Sequence, residues 1–355
     1  MSQKATIPVG VELLGRVINS SGTPLDSQGT ITAQQAPVVE LSALAGRQQP
    51  ERAPQMLETR IKLIDLLAPI PRGGAIAFFG GAGLGKQVVT QEVMQHFMTH
   101  HNGYAVLVDV SEDTYETTGL AEIINEPGRR EKSVFVYEQQ QATPQLCRQA
   151  LQAALTIGEH FRKQRHEVLL IAEDYVVKQA GSSDLQPSAQ ALGITTLLLG
   201  PVEENIQQEA NIALNGLDGR LVFSRDLARQ NLWPAIDRLL STSRLLESNA
   251  VGAEHKQIAE QVRQLLRRVQ DLQGTQNLSP DDEQAVKRAA RIQQFLTQPF
   301  FVAEPYTEVP GEYVRLADTL SGFKALLEGR YDDLPEQAFA FVGTIEQALA
   351  KASKK

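Results

Sequence analysis

A cluster of glycines between a wholly apolar stretch and an amphipathic helix constrains this chain more than any other feature. Gly80-Gly81-Ala82-Gly83-Leu84-Gly85-Lys86-Gln87 follows the apolar residues 75–79, and Val89, Val93 and Phe97 recur at spacing four beyond it. Glycines let successive backbone N–H groups point inward at phosphate oxygens without Cβ clashes. A helix starting near Lys86 adds the positive end of its dipole, and the lysine ammonium reaches the outer phosphates. The alternative is a plain strand-to-helix turn with no ligand. The strand before, the helix after and the lysine in register favour phosphate binding by residues 80–88, Val88 included.

The last position departs from the pattern. Gln87 stands where a Ser or Thr hydroxyl would coordinate Mg²⁺. Mg²⁺ demands near-ideal octahedral geometry at about 2.1 Å, and a longer amide side chain serves it poorly. The loop therefore predicts phosphate binding with a compromised metal position.

Around the loop, apolar stretches at 75–79, 104–110, 133–137, 168–172, 194–199 and 221–223 alternate with helical patterns, one of them carrying Cys147, Leu151 and Leu155 from Pro144 onward. Strands apolar on both faces and separated by helices predict a parallel sheet covered on both sides, an α/β fold. Short strands at 15–19 and 29–32 predict a small N-terminal β element. The polar stretch 46–54 reads as a linker. After Arg244 no strand pattern remains. Ile258, Val262 and Leu265 mark one helix, and Ser279-Pro280-Asp281-Asp282 caps a second. Asp333-Leu334-Pro335-Glu336 is expected to open a last helix with Phe339, Val342 and Ile345. The expected domains are residues 1–50, 51–245 and 246–355.

Composition narrows the function. Across 355 residues, 42% hydrophobic and 21% charged content excludes wholesale disorder. The net charge of −8 argues against nucleic-acid binding by a broad basic surface. One cysteine, Cys147, excludes an internal disulfide framework and is expected as a small core residue. No apolar run approaches the roughly 20 residues of a membrane span, and no signal peptide is recognisable, so a soluble cytoplasmic chain is expected. His96, His100 and His101 at a helix end read as solvated imidazoles favoured by the helix dipole rather than as a metal site, and residues 129–132 as a solvated turn.

The loop does not stand alone. With Lys62-Leu63-Ile64-Asp65-Leu66-Leu67-Ala68-Pro69 and Arg72-Gly73-Gly74 ahead of it, it resembles the β subunit of F-type ATP synthases. Leu14-Gly15-Arg16-Val17-Ile18-Asn19 resembles the end of that family's N-terminal barrel. Ser241-Thr242-Ser243-Arg244, Val251-Gly252-Ala253-Glu254-His255, residues 291–300 and residues 334–339 are similar to its later segments. The resemblance covers most of the chain. It implies a RecA-like P-loop NTPase sheet, a partial N-terminal barrel and a C-terminal helical domain. It also implies ATP or ADP as ligand with Mg²⁺, and a ring with an α-like partner around a central shaft, peripheral to a membrane only through that assembly.

The family's roles carry over residue by residue. In the family a glutamate after the next strand polarises the attacking water and an arginine beside it contacts the γ-phosphate; here these positions hold Glu112 and Asp113. A solvated acid at a strand end is the competing reading of Glu112. A carboxylate about 5 Å from a phosphate oxygen would repel it by about 3 kcal/mol at an effective dielectric of about 20. Glu173 and Asp174 are the candidate metal-orienting acids. Trp233 and, on the other wall, Phe300, Ala303 and Tyr306 match the adenine pocket, with ordinary packing as the alternative. The chain is shorter than the family in the barrel and between Gly181 and Arg220, which implies an incomplete crown and loss of the strands that sense the γ-phosphate and catch the shaft. Together these departures imply a nucleotide-binding subunit with hydrolysis or synthesis weakened or lost. A still-catalytic subunit using Glu173 or Asp174 for the metal, and a non-enzymatic assembly module, remain open as alternatives.

Overall fold

The computed structural model describes residues 5–45, 55–124, 128–181, 185–200 and 217–354; the expected linker at 46–54 and most of the shortened middle stretch lie outside them. Two compact units divide the chain. The first takes Met1–Ala53, Pro71–Gly81 and Val93–Asp218, and the second Pro54–Ile70, Ala82–Glu92 and Gly219–Lys355.

Six strands of the first unit lie side by side in the order Ala75–Phe79, Thr195–Gly200, Glu167–Glu173, Gly103–Ser111, Ser133–Gln139 and Val17–Ile18. Each neighbouring pair is parallel, with Leu197 opposite Ile76 and Leu107 opposite both Phe135 and Ile171. Ala75–Phe79 and Thr195–Gly200 are buried along their whole length, which is why they read as unbroken apolar runs. The Pro144–Lys163 helix covers one face. Thr143 caps it by accepting from Leu146 N at 3.3 Å, Pro144 fits the first turn, and Arg162 and Lys163 complement its C-terminal end. Leu151, Leu155, Ile157 and Phe161 of this helix pack into one cluster with Val106, Val108, Val136 and Leu170 of the strands. Each such side chain contributes about 1.5–3 kcal/mol by leaving water. Cys147 is buried in the same cluster, as expected of a small core residue.

The N-terminal β element differs in placement from its expected outline. Thr6–Val9 pairs antiparallel with Gln34–Pro37, whereas residues 29–32 are irregular. Val17–Ile18 adds to the sheet edge, in parallel with Phe135 and Val136. Asp26 fixes this entry by accepting from Arg16 Nε at 2.7 Å and from Val17 N at 3.0 Å. Residues 129–132 are not a solvated turn: Arg129 is buried, Arg130 Nε donates to Gly15 O at 3.1 Å, and Lys132 Nζ donates to Met98 O at 2.7 Å. His96 departs likewise from its solvated reading, being buried and stacked on His100 with ring centroids 4.4 Å apart.

In the second unit Gly219–Val222 pairs antiparallel with Thr242–Ser243, and no strand follows Arg244 among the described residues. Helices Ala253–Asp271, Pro280–Phe295, Leu316–Leu327 and Ile345–Ala352 follow. Ser279 caps the second by accepting from Asp282 N, as its sequence predicts. The last helix starts later than expected. Glu336–Phe339 is a single 3-10 turn, Ala340 is extended and Phe341 has φ +50°. Helix resumes at Ile345 behind the reciprocal Thr344–Gln347 capping box. The core of this unit centres on Phe295, whose ring lies 4.9 Å from Phe323 and 6.4 Å from Phe339. Lys62 is fully buried beside it, its Nζ 4.1 Å from the Phe295 centroid and donating to Val342 O at 2.5 Å. Burial pulls this ammonium well below the usual lysine range, against the field of Glu312.

Candidate nucleotide site

The loop is built by two changes of backbone hand. The Ala75–Phe79 strand leads into Gly80, and the Lys86–His100 helix begins at the motif lysine. Gly83 and Gly85 take φ of +76° and +80°, a region that costs other residues about 1–2 kcal/mol. These turns bring the chain round so that the helix starts with unsatisfied N–H groups at the loop. Val89 N donates to Gly85 O at 2.9 Å and Thr90 Oγ1 to Lys86 O at 2.9 Å, locking the first turn. Leu84 is buried beneath the loop, Ala82 and Gly83 are exposed, Lys86 and Gln87 are half-buried, and Val88 is exposed.

Trp233 stands beside this loop. A Cβ on Gly85 would lie 3.1 Å from Trp233 Cζ3 and 3.5 Å from Cε3, so only glycine lets the ring approach so closely. The indole Nε1 donates to Asn231 Oδ1 at 3.0 Å, and the Trp233 carbonyl accepts from Gln298 N at 3.1 Å. The residue is half-buried. Of the residues expected on the other wall, Phe300 is 6% exposed, Ala303 is half-buried and Tyr306 is 83% exposed. Phe300 is therefore a packing residue in this state, while Tyr306 presents its ring to solvent.

Sequence reasoning passed over Glu92. Its carboxylate is fully buried and accepts from Phe301 N at 3.2 Å and Val302 N at 3.1 Å, joining the loop helix to the segment that carries Phe300 and Ala303. A signal was present: Glu92 follows Val89 by three residues on a helix whose Val89, Val93 and Phe97 are all buried.

The strand-end acids belong to the first unit. Glu112 and Asp113 are exposed just beyond the Gly103–Ser111 strand. Two tyrosines grip the backbone of this loop. Tyr137 Oη donates to Asp113 O at 2.6 Å, and Tyr175 Oη lies 2.6 Å from Val110 O while also contacting the buried Asp109 carboxyl. Burial raises Asp109 above the usual carboxylate range, partly opposed by its bonds to Tyr175 and Val110 N. Glu173 ends its strand half-buried, at the N-cap position of Asp174–Gln179 but with no side-chain cap bond. Asp174 is the first residue of that helix.

The usual hydroxyl ligand for Mg²⁺ is missing from the loop. The first-turn position holds the Gln87 amide in place of a hydroxyl, and among the described residues no three of His, Cys, Asp and Glu converge as metal ligands.

Residues 60–184 match the family model described as the ATP synthase alpha/beta family, nucleotide-binding domain. The matched segment contains the phosphate loop, Glu112 and Glu173. It supports the alpha/beta family and nucleotide binding, for alpha and beta subunits alike. The parallel sheet flanked by helices, with helices after Arg244, is the α/β RecA-like arrangement that such a domain requires. Among the described residues no helix is long and apolar enough to cross a membrane.

Proposed function

We propose that this chain is a β-subunit-like component of an F-type ATP synthase or ATPase that binds ATP or ADP, with hydrolysis or synthesis weakened or lost. The observation that carries the reading is the loop itself: left-handed Gly83 and Gly85, helix onset at Lys86, and an indole against Gly85. Backbone N–H groups from Gly80 to Val88 would hold the phosphates, the Lys86 ammonium would neutralise the outer ones, and Trp233 would stack on the purine. Tyr306 would close over the other face of the base.

The same residues argue for weak chemistry. Glu112 takes the water-polarising role on a loop set by Tyr137 and Tyr175, yet Asp113 adds negative charge where the family has an arginine. Gln87 leaves the metal poorly held. Residues 1–50, 51–245 and 246–355 act as an N-terminal β element, a nucleotide domain and a helical domain. An α-like subunit in a ring and a central shaft would be the partners. The chain would be cytoplasmic, reaching a membrane only through the assembly.

Calorimetric titration with ATP, with and without Mg²⁺, tests this. Binding is expected in both cases with affinities within about twofold, and Lys86→Ala should weaken it at least tenfold, since bonds to charged groups contribute about 1.5–3 kcal/mol. Strong tightening by Mg²⁺, or turnover comparable to a competent ring ATPase, would overturn the reading of weakened chemistry. Absence of ATP binding would overturn nucleotide recognition.

A further inference from the structure

We propose that Glu92 is a positioning residue for base recognition: without touching the ligand, it fixes the purine wall relative to the phosphate loop. The inference rests on the nucleotide reading above and names a residue through which selectivity for the base is set. Glu92 sits in the second turn of the loop helix, six residues past Lys86. Its carboxylate is 0% exposed, and its two oxygens accept separately, Oε1 from Phe301 N and Oε2 from Val302 N. A buried polar group is costly unless bonded, and these two amides satisfy both of its oxygens.

The two bonds close a ring of contacts within one unit. The loop meets Trp233 at Gly85, the Trp233 carbonyl accepts from Gln298 N, and the chain runs from Gln298 through Phe300 to the amides held by Glu92. Glu92 then returns through its helix to Lys86 and the loop. The same segment is confined from another side by Gly311. A Cβ there would come 2.3 Å from Phe301 N and 2.6 Å from its Cα, both backbone atoms. Gly311 N in turn donates to Glu304 Oε1 at 2.6 Å. The wall carrying Phe300 and Ala303 is thus set by a carboxylate on one side and by a missing side chain on another.

Glu92→Gln keeps the shape but turns one of the two acceptors into an N–H donor facing an amide. Gly311→Ala displaces the Phe301 amide by volume and leaves the Glu92 side chain unaltered. Both should loosen the base wall and leave the phosphate cradle intact.

Three probes on the full chain separate the possibilities: ATP, inorganic tripolyphosphate, and the emission of Trp233, the single tryptophan. Both variants are expected to weaken ATP about tenfold, to change tripolyphosphate affinity by less than about twofold, and to shift the ligand-free Trp233 emission. Equal weakening of ATP and tripolyphosphate would overturn the proposal, because Glu92 would then serve the loop as a whole. Unchanged ATP affinity and unchanged emission would overturn it too. Should the parent chain bind neither ligand, the nucleotide reading fails, and the emission still decides whether Glu92 positions the wall.

Discussion

The contact between Gly85 and Trp233 can be tested by its contrast with Gly83. Both glycines have left-handed backbone, with φ +80° and +76°, so Gly→Ala at either costs about 1–2 kcal/mol in conformation. Their surroundings differ. A Cβ on Gly83 would meet nothing within 4 Å, whereas one on Gly85 would lie 3.1 Å from Trp233 Cζ3. Ordinary van der Waals contact would need the ring to withdraw by a few tenths of an ångström, straining the 3.0 Å bond from Nε1 to Asn231. Gly83→Ala and Gly85→Ala should therefore both lower the unfolding free energy, Gly85→Ala by more, and weaken tripolyphosphate alike. Only Gly85→Ala should move the ligand-free emission of Trp233. It should also lose about a further tenfold for ATP, since a base stacked on an aromatic ring is worth about 1–3 kcal/mol. Chemical denaturation, calorimetry and fluorescence on the two variants suffice. Identical emission and identical ATP losses would refute the placement of the purine against Trp233.

Two further outcomes concern the second unit. Burial lowers His255, whose Nε2 lies 3.0 Å from Leu66 O, while burial raises Asp65 to about 7 against the donors Thr59 N, Thr59 Oγ1 and Arg60 N at 2.8 Å. For His255 the unfolded chain takes up the proton first, so its contribution to stability is present above pH of about 6.5 and lost below it. For Asp65 the sign reverses: its contribution is complete below about pH 4 and declines as pH rises to about 7, by an amount on the order of 4 kcal/mol. In denaturation midpoints from pH of about 4 to 8, Asp65→Asn should remove a component that falls with pH between about 4 and 7, and His255→Asn a component that rises with pH below about 6.5; unchanged slopes would discard both assignments. Lys62→Met removes a buried charge and keeps most of the volume, so stability should stay within about 1 kcal/mol, whereas Lys62→Ala should cost about 2–5 kcal/mol by leaving a cavity. Equal losses by thermal melting would show that the ammonium itself holds the Phe295 core.

The sheet and the loop were legible in the sequence for a physical reason that fails elsewhere in the chain. A strand buried on both faces is an unbroken apolar run, and glycine pairs bound Ala75–Phe79 on either side, so its limits agree with those read from composition alone. The Pro335 segment misled because the apolar spacing of Phe339, Val342 and Ile345 continues across a backbone that turns left-handed at Phe341. Periodicity cannot register one reversed φ. Glu92 was hidden by the same bias. Spacing of Val89, Val93 and Phe97 suggested a single apolar stripe, yet Thr90, Glu92, Met94, His96 and Met98 are buried too. A helix enclosed on that many sides can hold an acid inside, and what the acid bonds lies 209 and 210 residues away. Local pattern therefore located Lys86 and Trp233, the groups proposed to meet the nucleotide. The group that sets the distance between them is visible only where segments distant in sequence meet. The same holds for Glu112: its place after a strand is a local signal, but the bonds that Tyr137 and Tyr175 make to the backbone beside it come from the neighbouring Ser133–Gln139 strand and from the Asp174–Gln179 helix. If the chain binds nucleotide as proposed, substitutions at these supporting positions should alter selectivity and geometry with the phosphate cradle left intact.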